Sequence, residues 1–155
     1  MLAEADYARY IHRRGFHVGK LNLLVDMDVA SEVVEMPPLF RLPGAPSGVK
    51  GLVNRHGRVV PVVDLLALAG PESERAAKTW LLVYGRGEEA VGIMIDSLPD
   101  RKKFVPDDKT SLEEDDTHSL AAYVKAVYRD RNESWVELDM NRLLASIFKT
   151  DPSEN

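Results

Sequence analysis

The fold turns on the stretch Gly51-Leu52-Val53-Asn54-Arg55-His56-Gly57-Arg58-Val59-Val60-Pro61-Val62-Val63-Asp64-Leu65. Two apolar, largely β-branched runs flank the polar break Asn54-Arg55-His56-Gly57. Such a pattern predicts a β-hairpin. Gly57 suits a turn position with positive φ. Pro61 has no N–H to give to a ladder, which points to a sheet edge or a bulge. Asp64 stands before Leu65-Leu66-Ala67-Leu68-Ala69 as the cap of a short helix ending at Gly70.

These residues resemble the signature hairpin of the bacterial chemotaxis coupling proteins, the CheW-like family. That signature runs Gly, aliphatic, any, Asn, any, Arg, Gly, any, two aliphatics, Pro, two aliphatics, Asp, Leu. The chain matches at Gly51, Asn54, Gly57, Pro61, Asp64 and Leu65 and at the aliphatic positions. It departs at one place: His56 stands where the family has Arg, and Arg55 lies one position earlier. Upstream, Ala30-Ser31-Glu32-Val33 resembles a family strand that carries a Glu. Downstream, Val91-Gly92-Ile93-Met94-Ile95-Asp96 resembles a family strand of the second half. The likeness runs from about Val18 to Phe148 and is strongest from Glu32 to Leu65.

Composition sets the limits around that core. A chain of 155 residues suits one domain or two small, closely packed ones. Its net charge of −5 makes it a poor default partner for nucleic acid or anionic membrane. Cysteine is absent, so there is no disulfide framework and no thiol chemistry. No apolar run reaches the ~20 residues of a membrane span, and the acidic start lacks a signal-peptide pattern. The expectation is a cytoplasmic protein that does not insert into the membrane.

Along the chain, Ala3, Tyr7, Ala8 and Ile11 recur at helical spacing, predicting a helix over 2–14 with Gly15 as its C-cap. His12 and His17 do not share a metal-ligand spacing and read as surface or satisfied histidines. Residues 16–36 are rich in β-branched side chains and read as strands. Residues 37–46 hold four prolines and read as an extended connector. Residues 71–78 form a polar loop and the best internal boundary. Strands follow at Trp80–Tyr84 and Ala90–Asp96, then at Ala121–Tyr128 and Ser134–Leu138 around the turn Asp130-Arg131-Asn132-Glu133. Asp139 is placed to cap a last helix, Met140 to Phe148, with Leu143/Ile147 and Leu144/Phe148 as apolar pairs.

The catalytic patterns that the sequence offers fail on chemistry. Gly85-Arg86-Gly87-Glu88-Glu89-Ala90 has the spacing of a dinucleotide loop, but a β-branched strand follows instead of the helix that holds pyrophosphate. The acids of 105–119 come in adjacent pairs without a mid-loop Gly, unlike a calcium loop. No metalloprotease, esterase or phosphate-loop motif occurs. The reading is therefore not an enzyme, with no cofactor and no metal.

Nine or ten candidate strands predict a mostly β fold. The resemblance implies two five-stranded SH3-like barrels on a shared core, with short helices at the ends. It implies one domain over 1–155, with approximate halves 16–70 and 78–148, and leaves open an exchange of strands between them. It implies an adaptor that links the cytoplasmic tips of chemoreceptors to a CheA-like histidine kinase, through the kinase's regulatory domain. Glu32, Gly51, Asn54, Arg55, His56, Gly57 and Arg58 are the expected partner surface, with Arg55 supplying the charge that His56 lacks. A related pathway such as type IV pilus motility is the alternative. A small-barrel nucleic-acid binder is a third reading, which the acidic balance opposes.

Overall fold

The structure, a computed structural model, describes residues 9–28, 31–68, 78–112 and 118–148. Its strands are β1 (Ile11–Val18), β2 (Leu21–Asp26), β3 (Ser31–Glu35), β4 (Val49–Arg55), β5 (Arg58–Val63), β6 (Trp80–Tyr84), β7 (Val91–Ile95), β8 (Asp100–Phe104), β9 (Lys109–Thr110), β10 (Val124–Asp130) and β11 (Glu133–Leu138). One α-helix, α1 (Met140–Phe148), follows them. The fold is mostly β and forms two curled sheets. One is ordered β3-β6-β7-β5-β4; the other is β8-β1-β2-β11-β10-β9, in which β9 is a two-residue sixth strand. Strands from both sides of residues 69–77 enter the first sheet, and β1 and β2 join the C-terminal strands in the second.

Three apolar clusters explain the strand sequences. Val53, Val60, Val62, Leu81, Val83 and Met94 fill the inside of the first sheet. Leu24, Phe104, Tyr128 and Trp135 fill the inside of the second. The opposite faces, among them Leu23, Val63, Leu82, Ile93 and Val136, meet in a shared core with Leu143, Leu144 and Ile147 of α1. A strand packed on both faces has no polar side to show, so β7 is buried at all five positions. The Leu81-Leu82-Val83 run of β6 has the same cause.

An ion pair crosses the seam of each curled sheet. In the first, Glu32 of edge strand β3 meets Arg55 of edge strand β4 at 2.8 Å. In the second, Lys102 of edge strand β8 meets Asp130 of β10 at 2.7 Å, beside the stacked rings of Phe104 and Tyr128. The cation's hydrogen bond is the largest cause holding each carboxyl below the ordinary carboxylate range. A carboxylate depressed in the folded chain stabilises it fully above the unfolded pKa, and that contribution is lost as pH falls through the folded pKa. Thermal stability is therefore expected to drop on acidification below about pH 4, and less steeply in an Arg55→Ala, Lys102→Ala double variant. Calorimetry between pH 7 and pH 2 reads this.

Several expectations are corrected. No helix runs to residue 14: β1 starts at Ile11, and Gly15 pairs with Leu24 inside it instead of capping a helix. Residues 2–8 lie outside the described residues. Pro61 is on an inner strand, not an edge. Leu52 exchanges both backbone hydrogen bonds with Phe40, at 2.8 Å each, so its partner Pro61 owes β4 no donor. On the other side β7 pairs only from Val62 onward. Phe40 also shows that the proline-rich connector docks on β4 at one bridge. Ala121–Tyr123 belong to a 3-10 helix (His118–Tyr123), and the strand begins at Val124.

The caps hold as read. The N–H of Leu66 donates to the Asp64 carboxylate at 3.0 Å, starting the 3-10 turn Leu65–Leu68; Gly70, its expected end, lies outside the described residues. The N–H of Arg142 donates to the Asp139 carboxylate at 3.1 Å, at the start of α1. Asp139→Ala should cost about 1 kcal/mol, the usual value of an N-cap, read by urea unfolding.

Candidate functional site

The β4–β5 hairpin closes on the pair Arg55 and Arg58, leaving His56 and Gly57 as a two-residue turn. Both take positive φ, 53° and 78°, as the primed hairpin turns require. The Asn54 side-chain oxygen accepts the Gly57 N–H at 3.1 Å and fixes the turn. Asn54 and Gly57 thus shape the turn. Gly51 lies near the other end of β4, packed against the backbone of Phe40.

The remaining expected residues converge. Arg55 grips Glu32 with two nitrogens, Nε at 3.0 Å and Nη2 at 2.8 Å, a fork on a carboxylate. The neighbouring His56 adds a smaller electrostatic pull on Glu32. Glu32 remains 54% exposed, so the pair stands at the surface of the seam. Beside it opens a cleft of about 360 Å³ whose rim carries Glu32, Arg55, His56, Arg58 and Arg86. Buried Val60 and Val83 line it as well.

Arg86 is the residue that sequence reasoning missed. Its Gly85-Arg86-Gly87 setting has the spacing of a nucleotide loop but is the turn between two strands, and β7 follows it directly, without the required helix. Strand order brings the β6–β7 turn to the β4–β5 turn, and the Arg58 guanidinium lies beside Gly87. Among the described residues no three His, Cys, Asp or Glu side chains gather as metal ligands. Nor, among those residues, is any helix long and apolar enough to cross a membrane.

The CheW-like domain model matches residues 15–148. This chain belongs to the CheW-like domain family. It is 30% identical over 94 residues to Protein PilI of Pseudomonas aeruginosa, covering 60% of this chain and 53% of PilI. It is 34% identical over 84 residues to Protein FrzA of Myxococcus xanthus, covering 54% of this chain and 52% of FrzA. Chemotaxis protein CheW of Rhizobium meliloti is 29% identical over 86 residues, covering 55% of this chain and 56% of that protein. The matches thus span about half the length of these relatives. The scaffolding protein TtCheW of Thermoanaerobacter tengcongensis shares the fold at a TM-score of 0.71. That match covers 83% of this chain and 84% of TtCheW at 16% identity. Of the hairpin residues that carry the likeness, Asn54 and Gly57 lie at the exposed turn, while Gly51, Asp64 and Leu65 are buried.

Proposed function

We propose that this CheW-like chain is a non-catalytic coupling scaffold of a bacterial chemosensory system. It links the cytoplasmic tips of chemoreceptors to a CheA-like histidine kinase through the kinase's regulatory domain, and it works in the cytoplasm. The carrying observation is the family match over residues 15–148, within which Glu32, Arg55, His56 and Arg58 line one cleft at the exposed seam. A scaffold needs such exposed features on a rigid element, and weak contacts suffice when many copies assemble.

Within this reading the residues divide their work. Gly51, Asn54 and Gly57 hold the shape of the hairpin. Arg55 is engaged with Glu32, so it presents the pair to a partner instead of a bare cation. His56, at positive φ on the tip, is where the family's Arg would project. Arg55→Ala is expected to weaken kinase-domain binding about tenfold, the loss of one charge-assisted contact. His56→Arg should strengthen binding to a standard coupling partner, because it restores the family's planar guanidinium with its five donors. Titration calorimetry with the host's kinase regulatory domain reads both. Unchanged affinity in a folded Arg55→Ala protein would place the interface elsewhere.

Affinity capture from the source organism, followed by mass spectrometry, tests the scaffold reading itself. Recovery of a CheA-like kinase or a chemoreceptor is expected. Recovery of neither, in cells that express both, would contradict it. Gene neighbourhood then separates swimming from pilus-linked pathways.

A further inference from the structure

The cleft beside the Glu32–Arg55 seam is locally cationic. The chain as a whole carries −5. The rim brings Arg55, Arg58 and Arg86 together against the single carboxylate of Glu32. Arg55 already consumes both oxygens of that carboxylate. The guanidinium groups of Arg58 and Arg86 make no ion pair or hydrogen bond with any described residue. The Arg58 guanidinium nonetheless lies over the β6–β7 turn, its Nη1 3.7 Å from where a Gly87 Cβ would sit. Two unpaired cations held on one rim repel each other and gain most from a shared anion. Glu88 and Glu89 of the same turn face the neighbouring groove toward α1, not this cleft.

The floor decides what kind of anion fits. Val60, Val83 and Ala90 line the cleft beneath the arginines. A volume of about 360 Å³ is at the low end of ligand pockets. A free phosphate would satisfy the rim but leave that floor wet, and its second charge would face Glu32. A carboxylate next to an aliphatic side chain satisfies rim and floor together.

We propose that this cleft receives an acidic-and-apolar element of a partner protein, an Asp or Glu carboxylate held between Arg58 and Arg86 with an adjacent aliphatic side chain on Val60, Val83 and Ala90. This deepens the coupling reading and rests on it only for the source of the segment. Arg58 then acts together with Arg86, from the other half of the chain, as a composite anion clamp.

The probe is a capped peptide, acetyl-Ser-Leu-Glu-Val-Glu-Ser-amide, titrated into the full chain by calorimetry. A dissociation constant on the order of 10⁻⁴ M is expected, rising with added salt. Arg58→Ala and Arg86→Ala should each weaken binding about tenfold, Arg58→Lys less, and Arg131→Ala on the opposite hairpin not at all. The peptide with Gln for both Glu should not bind. Circular dichroism establishes that each variant is folded. Equal binding by the Gln peptide, equal binding by Arg58→Ala and Arg86→Ala, or no binding of the Glu peptide would overturn the assignment. So would tighter binding of inorganic phosphate or a thymidine oligonucleotide than of the peptide. Because the isolated chain is titrated, such a failure leaves capture of a kinase or receptor standing, and failed capture leaves the peptide result standing.

Discussion

Arg13→Ala is expected to destabilise the chain by about 3 kcal/mol, the scale for orphaning a buried charge. Glu137 lies on β11 with its side chain only 4% exposed. Its carboxylate is held by Arg13 of β1, Nε to Oε2 at 2.9 Å, while Lys125 stands off at 4.0 Å. Arg13 also approaches Asp26 at 3.6 Å and donates to the His12 carbonyl at 2.8 Å. Removing the guanidinium leaves a buried carboxylate with one distant cation, in a medium that strengthens the penalty. The reverse truncation is milder. Glu137→Gln keeps an acceptor for Arg13 and removes the buried charge, so it should cost less than about 1 kcal/mol. Arg13 is itself a quarter exposed and retains Asp26. Urea unfolding of both variants gives the comparison, and equal losses would show that the buried charge is not the source.

Gly51→Val should be comparably severe, at about 3 kcal/mol, the upper range of overpacking. A Cβ on Gly51 would overlap the Phe40 carbonyl oxygen and stand 3.0 Å from the carbonyl carbon and 3.3 Å from the Arg41 Cα. These are backbone atoms and cannot rotate away. Relief requires moving the connector off β4, which breaks the paired 2.8 Å hydrogen bonds between Phe40 and Leu52. Phe40 is 63% exposed, so its side chain adds little to hold the connector in place. The melting temperature is expected to fall with a separated loss of amide protection at Phe40 and Leu52 in hydrogen exchange. A variant that melts like the parent would show that the connector is not a fixed part of the sheet. The first Gly of the hairpin signature thus has a packing reason independent of any partner.

What was legible in the sequence was what local chemistry writes there. The β4–β5 hairpin, the Asp64 and Asp139 caps and the amphipathic α1 each follow from neighbouring residues. The N-terminal strand was not legible, because Ile11 continues a helical spacing in the sequence while β1 is specified by remote partners on β2 and β8. β8 is hidden because Asp100-Arg101-Lys102-Lys103-Phe104 looks like a solvated loop; as an edge strand its cations are usefully placed. The site divides the same way. Glu32, Arg55, His56 and Arg58 could be named from the family pattern. The pairing of Glu32 with Arg55 across 23 positions, and the approach of Arg86, depend on sheet order that no local pattern encodes.

Coupling itself is tested most directly by reconstitution. Membranes carrying the host's chemoreceptor are mixed with its CheA-like kinase, and autophosphorylation is followed with and without this chain. The expected result is that receptor ligand alters the kinase rate only when the chain is present, and that Arg55→Ala reduces this control. A kinase whose rate and ligand response are the same with and without the chain, at saturating concentrations of all three, would contradict the scaffold reading.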